Sequence, residues 1–329
     1  MSSVFHPLIQ EPTVASHSNL QFRLNPSASP KSEAAEAYDY AGVHYAAYAD
    51  GAGEELFDFD RRYAFGDRRI WAAIDARLTM FARTGRNKLR VLDAGCGPGT
   101  WLRRIIARAK ELGIQHVEAR GFDISGEQVA IARMRAADVR SKLGVQCRFE
   151  YGDIMMPFAE ATSSVDLCLC LNGVLNHVAV VHHAAIVAEL ARVTAGALIV
   201  NVRSAGSTPS IFVDAIENAR DFRQDNINDR LAIDLIDGHH IEFGLHLFRA
   251  SELTALFDGK IVISNLIGLD LFHSRFRPDP RWNTAEVAET EDFYRKLEVL
   301  EQAHNANPAF IDHATHILLV AEPELIMEG

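Results

Sequence analysis

The spacing of apolar positions changes in a regular way along the chain. Leu89, Val91 and Leu92 form a short apolar run that ends at Asp93. From Thr100 to Leu112 the apolar residues Leu102, Ile105, Ile106, Ala109 and Leu112 recur at helical spacing, and Gly113 is a natural stop. His116–Phe122 reads as a strand, Ser125–Leu143 as a helix and Val145–Glu150 as a strand. Val165–Leu171, apolar but for Asp166, reads as a strand buried on both faces. His182–Thr194 is helical, with Gly196 just beyond, and Leu198–Val202 is another strand. Lys260–Phe272 and His316–Ala321 supply two more. Strands alternating with helices of this length predict an α/β fold. The expected form is a Rossmann-like, seven-stranded, mostly parallel sheet with helices on both faces.

The remaining pattern places additions around that core. Residues 1–36, rich in Ser, Pro, Ala and Asn, read as an extended or disordered arm, and 37–84 as an aromatic helical cap. Residues 85–329 form the main domain, with insertions at about 205–248 and 274–312. In the first insertion, Pro209–Arg230 reads as a polar helix, and Leu231–Phe248 alternates around Asp237-Gly238, a hairpin signal. Ala285–His304 reads as a helix in the second. The insertions follow strands five and six, on the side where the carboxyl ends of a parallel sheet face a ligand, so they are expected to wall a substrate pocket.

Bulk properties narrow the function. The chain has 329 residues and a formal net charge of −11. An acidic chain is poorly suited to gripping phosphate backbones, so the expected partner is a small molecule, with no nucleic acid and no membrane. Four cysteines without zinc-finger spacing read as buried reduced thiols. The N-terminus shows no secretory pattern, and a cytoplasmic protein is expected, with a homodimer formed through the N-terminal arm as a candidate assembly.

Gly95, Gly97 and Gly99 follow the first strand directly and open a helix. Glycines allow a tight turn and a close approach of backbone to ligand. The spacing is G-x-G-x-G, not the dinucleotide G-x-G-x-x-G, and no G-K-[ST] follows. Asp93 at the strand end would repel a pyrophosphate but hold a cofactor bearing an ammonium and a sulfonium. Val91-Leu92-Asp93-Ala94-Gly95-Cys96-Gly97-Pro98-Gly99 resembles the first motif of class I S-adenosylmethionine-dependent methyltransferases. The resemblance runs on through Gly121-Phe122-Asp123-Ile124, Tyr151-Gly152-Asp153-Ile154 and Asp166–Asn172. It implies S-adenosylmethionine as cofactor, with Asp123 on the ribose and Asp153 at the adenine amino group. The implied cofactor-binding set is Asp93, Gly95, Cys96, Gly97, Gly99, Asp123, Ile124, Asp153, Ile154 and Asn172. Asn176 and His177, on the turn after the fourth strand, are candidates to touch substrate.

The acceptor is sought among histidines at strand ends. His246 and His316, with the insertions, resemble the metal-dependent C-methyltransferases of 2-oxo acids, including 2-ketoarginine and phenylpyruvate methyltransferases. The resemblance implies a divalent metal, of Fe, Ni, Zn or Mn type, held by His246 and His316; Asp270 or His273 is a candidate third ligand. The metal would chelate the substrate's ketone and carboxylate and stabilise its enolate for methylation at carbon 3. His246, His316 and His313 are the candidate catalytic residues, His313 as base. For a guanidinium-bearing substrate, Asp214, Glu217, Asp221 and Asp312 are candidate partners. A metal-independent O- or N-methyltransferase is the alternative. The cap has two readings: its tyrosines pack on the sheet domain, or Tyr45 or Tyr48 closes over the cofactor and Arg61, Arg62, Arg68 or Arg69 binds a carboxylate.

Overall fold

The computed structural model describes residues 32–50, 56–59, 64–207, 219–273 and 291–324, of which 43–50, 219 and 291 by backbone alone. Most of the N-terminal arm, the Tyr45 and Tyr48 side chains, and Arg61, Arg62, Asp214 and Glu217 lie outside the described residues.

Seven strands form one sheet in the order β3-β2-β1-β4-β5-β10-β9. They are β1 (Lys88–Ala94), β2 (His116–Asp123), β3 (Val145–Tyr151), β4 (Val165–Cys170), β5 (Thr194–Arg203), β9 (Val262–Leu269) and β10 (His316–Glu322). The first five run parallel, and β10 is antiparallel to both its neighbours. This is the predicted Rossmann-like α/β sheet. Every residue of β4 is buried; the one charged member, Asp166, accepts from the Arg86 guanidinium and from the Arg90 N–H at 2.8 Å.

Both faces of the sheet are covered by helices whose apolar stripes match the predicted spacing. On one face lie α2 (Ala64–Arg83), through Ile70, Ile74 and Leu78, and α3 (Thr100–Glu111), through Leu102, Ile105 and Ile106. Arg104 of α3 is also fully buried. Its guanidinium stacks on Phe59 and Trp101 at 4.5 and 4.9 Å, and its Nε donates to the Leu56 carbonyl at 2.7 Å. A buried cation is tolerated where aromatic faces and carbonyl oxygens replace its water. The same face carries α4 (Gly126–Arg135) and the single turn α5 (Ala137–Arg140). The other face packs α6 (Val180–Val193), through Ile186, Val187 and Leu190, and α7 (Ala250–Phe257), through Leu253 and Phe257. Helix α8 (Glu291–His304) and the turn α9 (Pro308–Ile311) complete the second insertion as far as it is described.

The first insertion departs from expectation. Ala219–Asp225, read as part of a polar helix, is strand β6. It pairs antiparallel with β7 (Arg230–Leu235), which pairs with β8 (His240–Gly244) around the expected turn at Asp237-Gly238. Sequence periodicity missed β6 because only Phe222 among its residues packs on the small sheet's core of Leu231, Ile233, Leu235, Ile241 and Phe243. The strand is specified by its partner, β7, and by cross-strand pairing, not by its own pattern. Helix α1 (Glu33–Asp50) contributes Ala37 to the same core. It also begins inside the segment read as an extended arm.

Helix α1 therefore bridges the small sheet and α4. Glu33 pairs with Arg230, and the Tyr40 hydroxyl donates to Asp237 at 2.7 Å. On the other side, Gln128 Nε2 of α4 donates to the Gly42 carbonyl at 3.0 Å, and the Asp39 carboxylate accepts from the Ser125 hydroxyl. Gly42 has φ 44° and ψ −124° and kinks the helix at that contact.

Candidate active site

The glycine loop sits between β1 and α3 because its backbone must take turns that side chains would block. Gly95 and Gly99 have φ of 82° and 78°. A Cβ on Gly95 would stand 2.2 Å from Val174 Cγ2, and one on Gly99 would stand 2.7 Å from the Phe149 ring. Gly99 is thus needed for packing against β3, and Gly95 for the approach of the turn that follows β4.

At the end of β1, Asp93 is 1 % exposed, and neither carboxylate oxygen has a hydrogen-bond partner among the described residues. Burial, aided by the nearby Asp123 charge, pushes its acid constant up to about 8. Asp123, at the end of β2, is held differently. Its Oδ2 accepts from the Gly97 N–H at 2.8 Å and its Oδ1 from the Ser125 N–H at 2.9 Å. Its constant is also raised, chiefly by burial. Two acids that each resist ionisation, one with both oxygens orphaned, form a site that a cation would relieve. Asp153, after β3, accepts from the Met155 N–H at 2.9 Å.

A cavity of about 330 Å³ opens beside these groups. Gly95, Gly97, Asp123, Ile124, Asp153, Ile154 and Asn172 line it, so seven of the ten expected cofactor residues meet there. Asp93 is buried and does not line it. Cys96 turns into the core, where its Sγ packs close to Gly121, and burial pushes its thiol well up, so it acts as a packing residue. Gly99 faces Phe149. The rest of the lining includes Ser32 and Tyr38 from the start of α1, Gln128 of α4, and Val174, His177, Val178 and His182 from the turn after β4 and the start of α6.

That turn is held from several sides. Asn176, 1 % exposed, donates through Nδ2 to the carbonyls of Arg203 and His246 and accepts the Arg203 N–H at 2.9 Å. His183 Nε2 bonds the carbonyls of Leu175 and Val178 at 3.0 and 2.9 Å. His177 is left facing Tyr38, with Nε2 3.0 Å from the phenol oxygen and Nδ1 3.1 Å from the Gly244 carbonyl of β8. Burial, with the Arg203 charge, brings its acid constant down to about 4, so the ring is neutral near pH 7.

Residues 91–196 match the protein family described as "Methyltransferase domain". Residues 91–196 thus carry a class I S-adenosylmethionine-dependent methyltransferase domain. No curated protein matches the chain significantly. Among solved structures, the 4+2 cyclase SpnF is similar at 19% identity, over 90% of this chain and 97% of that one, with a TM-score of 0.52. Magnesium protoporphyrin IX methyltransferase from Synechocystis PCC 6803, with bound S-adenosylhomocysteine, is similar at 15% identity, over 88% and 98%, with a TM-score of 0.49. An S-adenosylmethionine-dependent methyltransferase from Methanosarcina mazei is similar at 16% identity, over 72% and 93%, with a TM-score of 0.46. These likenesses concern the fold.

The methyltransferase's residues fit its cofactor on their own terms: an orphaned buried acid, two glycines whose side chains would clash, and a cavity at the small end of the usual ligand range of about 300–1,000 Å³.

The expected metal set is not assembled. Among the described residues no group of three His, Cys, Asp or Glu side chains is placed to hold a metal. The His246 ring is taken on both sides, by Asp229 at Nδ1 (2.8 Å) and Glu252 at Nε2 (2.7 Å). Its backbone N–H donates to the Asn176 carbonyl at 2.7 Å, so it fastens the small sheet's exit to the turn bearing His177. His316 opens β10 between Arg203 of β5 and Leu269 of β9. Asp270 is fully buried with φ 57°, and its carboxylate points at Gly66 of α2, where burial holds its constant well up. His313 is exposed in the bend before β10. None of these four lines the cavity. Asp312 instead accepts the Ala250 N–H at 2.6 Å and caps the approach to α7. Asp221 and Arg68 pair with Arg223 and Glu298.

Sequence reading missed Tyr38 and Gln128. Tyr38 belonged to an aromatic run with no feature to single it out, and Gln128 to an ordinary helix start. Their role arises only where α1 crosses α4, a contact between positions 90 residues apart.

Proposed function

We propose that this chain transfers a methyl group from S-adenosylmethionine to an oxygen or nitrogen of a small molecule, without a metal. The observation that carries the reading is the shared cavity. The glycine loop, Asp123 and Asp153 line it together with His177 and His182 of the turn after β4. The cofactor supplies a methyl carbon on a sulfonium, which leaves by direct displacement. Gly95 and Gly97 let the backbone approach it closely, and Asp123, with its carboxylate fixed by two backbone donors, has lone pairs left for the ribose hydroxyls. Asp153 stands ready for the adenine amino group, and ionised Asp93 opposes the cofactor's positive charge. His182, exposed at the cavity's edge, is the side chain that takes the acceptor's proton as the new bond forms.

Metal-assisted C-methylation of a 2-oxo acid is the less favoured reading. It would require His246 to leave Asp229 or Glu252 and turn toward His316. The net charge of −11 keeps a small neutral or cationic acceptor ahead of a nucleic acid.

The test is incubation with methyl-labelled cofactor and a panel of phenols, carboxylic acids, amines and 2-oxo acids, with and without EDTA, the methyl group being located by mass spectrometry. Transfer to a heteroatom that survives EDTA is expected. Methyl found on carbon 3 of a 2-oxo acid, abolished by EDTA and restored by a divalent metal, would reinstate the metal mechanism.

A further inference from the structure

Resting on the cofactor site proposed above, we propose that Tyr38 and His177 together read the positive charge of the methyl donor. His177 accepts a hydrogen bond from the Tyr38 phenol, and Tyr38 Oη presents lone pairs to the sulfonium.

The direction of the hydrogen bond follows from the partners. The Gly244 carbonyl can only accept, so His177 Nδ1, 3.1 Å away, carries the ring hydrogen. Nε2 is then a bare acceptor, and the Tyr38 hydroxyl at 3.0 Å must be the donor. A phenol that gives its hydrogen away turns the negative end of its dipole outward. The imidazole cannot swivel to reverse this. Tyr38 meets its edge at 79° and Phe243 packs against it at 5.2 Å. Asn176 and His183 hold the turn it stands on.

Position supports the assignment. Tyr38 and His177 both line the cavity. Val174, at the start of the same turn, packs on Gly95. The pair thus stands where the glycine loop meets the end of β4. The acids are allotted elsewhere: Asp123 beside Gly97, Asp153 beyond β3, and Asp93 buried at the end of β1. In a half-buried site a fixed oxygen dipole acts on a nearby cation with less solvent screening than at an open surface. Its effect falls on the charged donor and not on the neutral thioether product, so the pair favours exchange of product for fresh donor.

A mere strut between α1 and the turn would treat both ligands alike, which makes the ratio of affinities the test. The full chain, as wild type, Tyr38→Phe and His177→Phe, is titrated calorimetrically with S-adenosylmethionine, S-adenosylhomocysteine and sinefungin, an analogue with an amine-bearing carbon in place of the sulfonium. Tyr38→Phe is expected to weaken the two cationic ligands about tenfold and S-adenosylhomocysteine less than about twofold. His177→Phe, which leaves the hydroxyl free to turn, is expected to narrow the ratio in the same sense. Equal weakening of all three ligands, or no change in the ratio in either variant, overturns the proposal. A wild-type chain that binds none of the three sinks the cofactor site itself, an outcome separate from an unchanged ratio.

Discussion

At the scale of single residues, Asp93 holds the sharpest conflict between stability and function. Its folded constant of about 8 lies far above the ordinary 3.8. Between those values the unfolded chain has ionised the group and the folded apoprotein has not, so the folded state binds more protons. Apoprotein stability from this residue therefore falls as pH rises from about 4 to 8. Asp93→Asn is expected to raise the apoprotein's stability by an amount that grows toward pH 8, on the order of a few kcal/mol there. The same change should weaken S-adenosylmethionine at least about tenfold, because the buried charge that answers the cofactor is gone. Thermal melts at pH 4.5 and 8, with titrations at pH 8, measure both. In the wild type, cofactor binding draws Asp93 into its ionised form, so calorimetry at pH 7 in buffers of different ionisation heat should show close to one proton released. No proton release would mean that Asp93 keeps the same ionisation state in the free and bound protein. His177 titrates with the opposite sign. Its constant is lowered to about 4 from 6.5, so its contribution to stability is complete above about 6.5 and is lost as pH falls toward 4.

At the scale of elements, the legible part of the molecule was the part built from local repetition. β1 to β5 and their helices announce themselves by period, and the glycine loop by a spacing that no strand or helix needs. β6 was not legible, since Arg220, Asp221, Arg223 and Gln224 show no apolar alternation and the strand exists because β7 offers it a partner. His246 was misread for a related reason. Sequence shows a histidine near a strand end, and only the fold shows Asp229 and Glu252 closing on both ring nitrogens. In that setting His246 is a fastener between the small sheet and α7. His246→Ala is expected to cost about 1–3 kcal/mol in chemical denaturation, through two charge-assisted hydrogen bonds, while changing S-adenosylmethionine affinity less than about threefold. Loss of a bound metal in this variant, measured by elemental analysis against wild type, would contradict the fastener role. The exposed pair Glu33–Arg230 should matter less. Arg230→Ala is expected to lower stability by no more than about 1 kcal/mol, and by less in high salt.

At the scale of the whole molecule, the question is how ligands reach the cavity. Its volume of about 330 Å³ is small for a cofactor and an acceptor together, and α1 contributes part of its lining. Helix α1 is fixed to the small sheet by Ala37, Glu33 and Tyr40, and to α4 by Asp39 and the Gly42 carbonyl. Few of these contacts are both buried and apolar, so α1 should open at a lower free energy than β4, whose residues are all buried. Ligand contacts made by Ser32 and Tyr38 exist only when α1 is down, so binding must bias it toward the closed position. Hydrogen exchange of the full chain should accordingly show fast exchange in residues 33–42 without ligand, and strong protection there on adding S-adenosylhomocysteine. β7 and β8 should gain protection in parallel, because they move with the helix they pack against, while β4 and β5 should not change. Protection confined to the loops at 95–99 and 152–155 would mean that α1 stays in place and that the acceptor reaches the cofactor past the start of α6, beside His182.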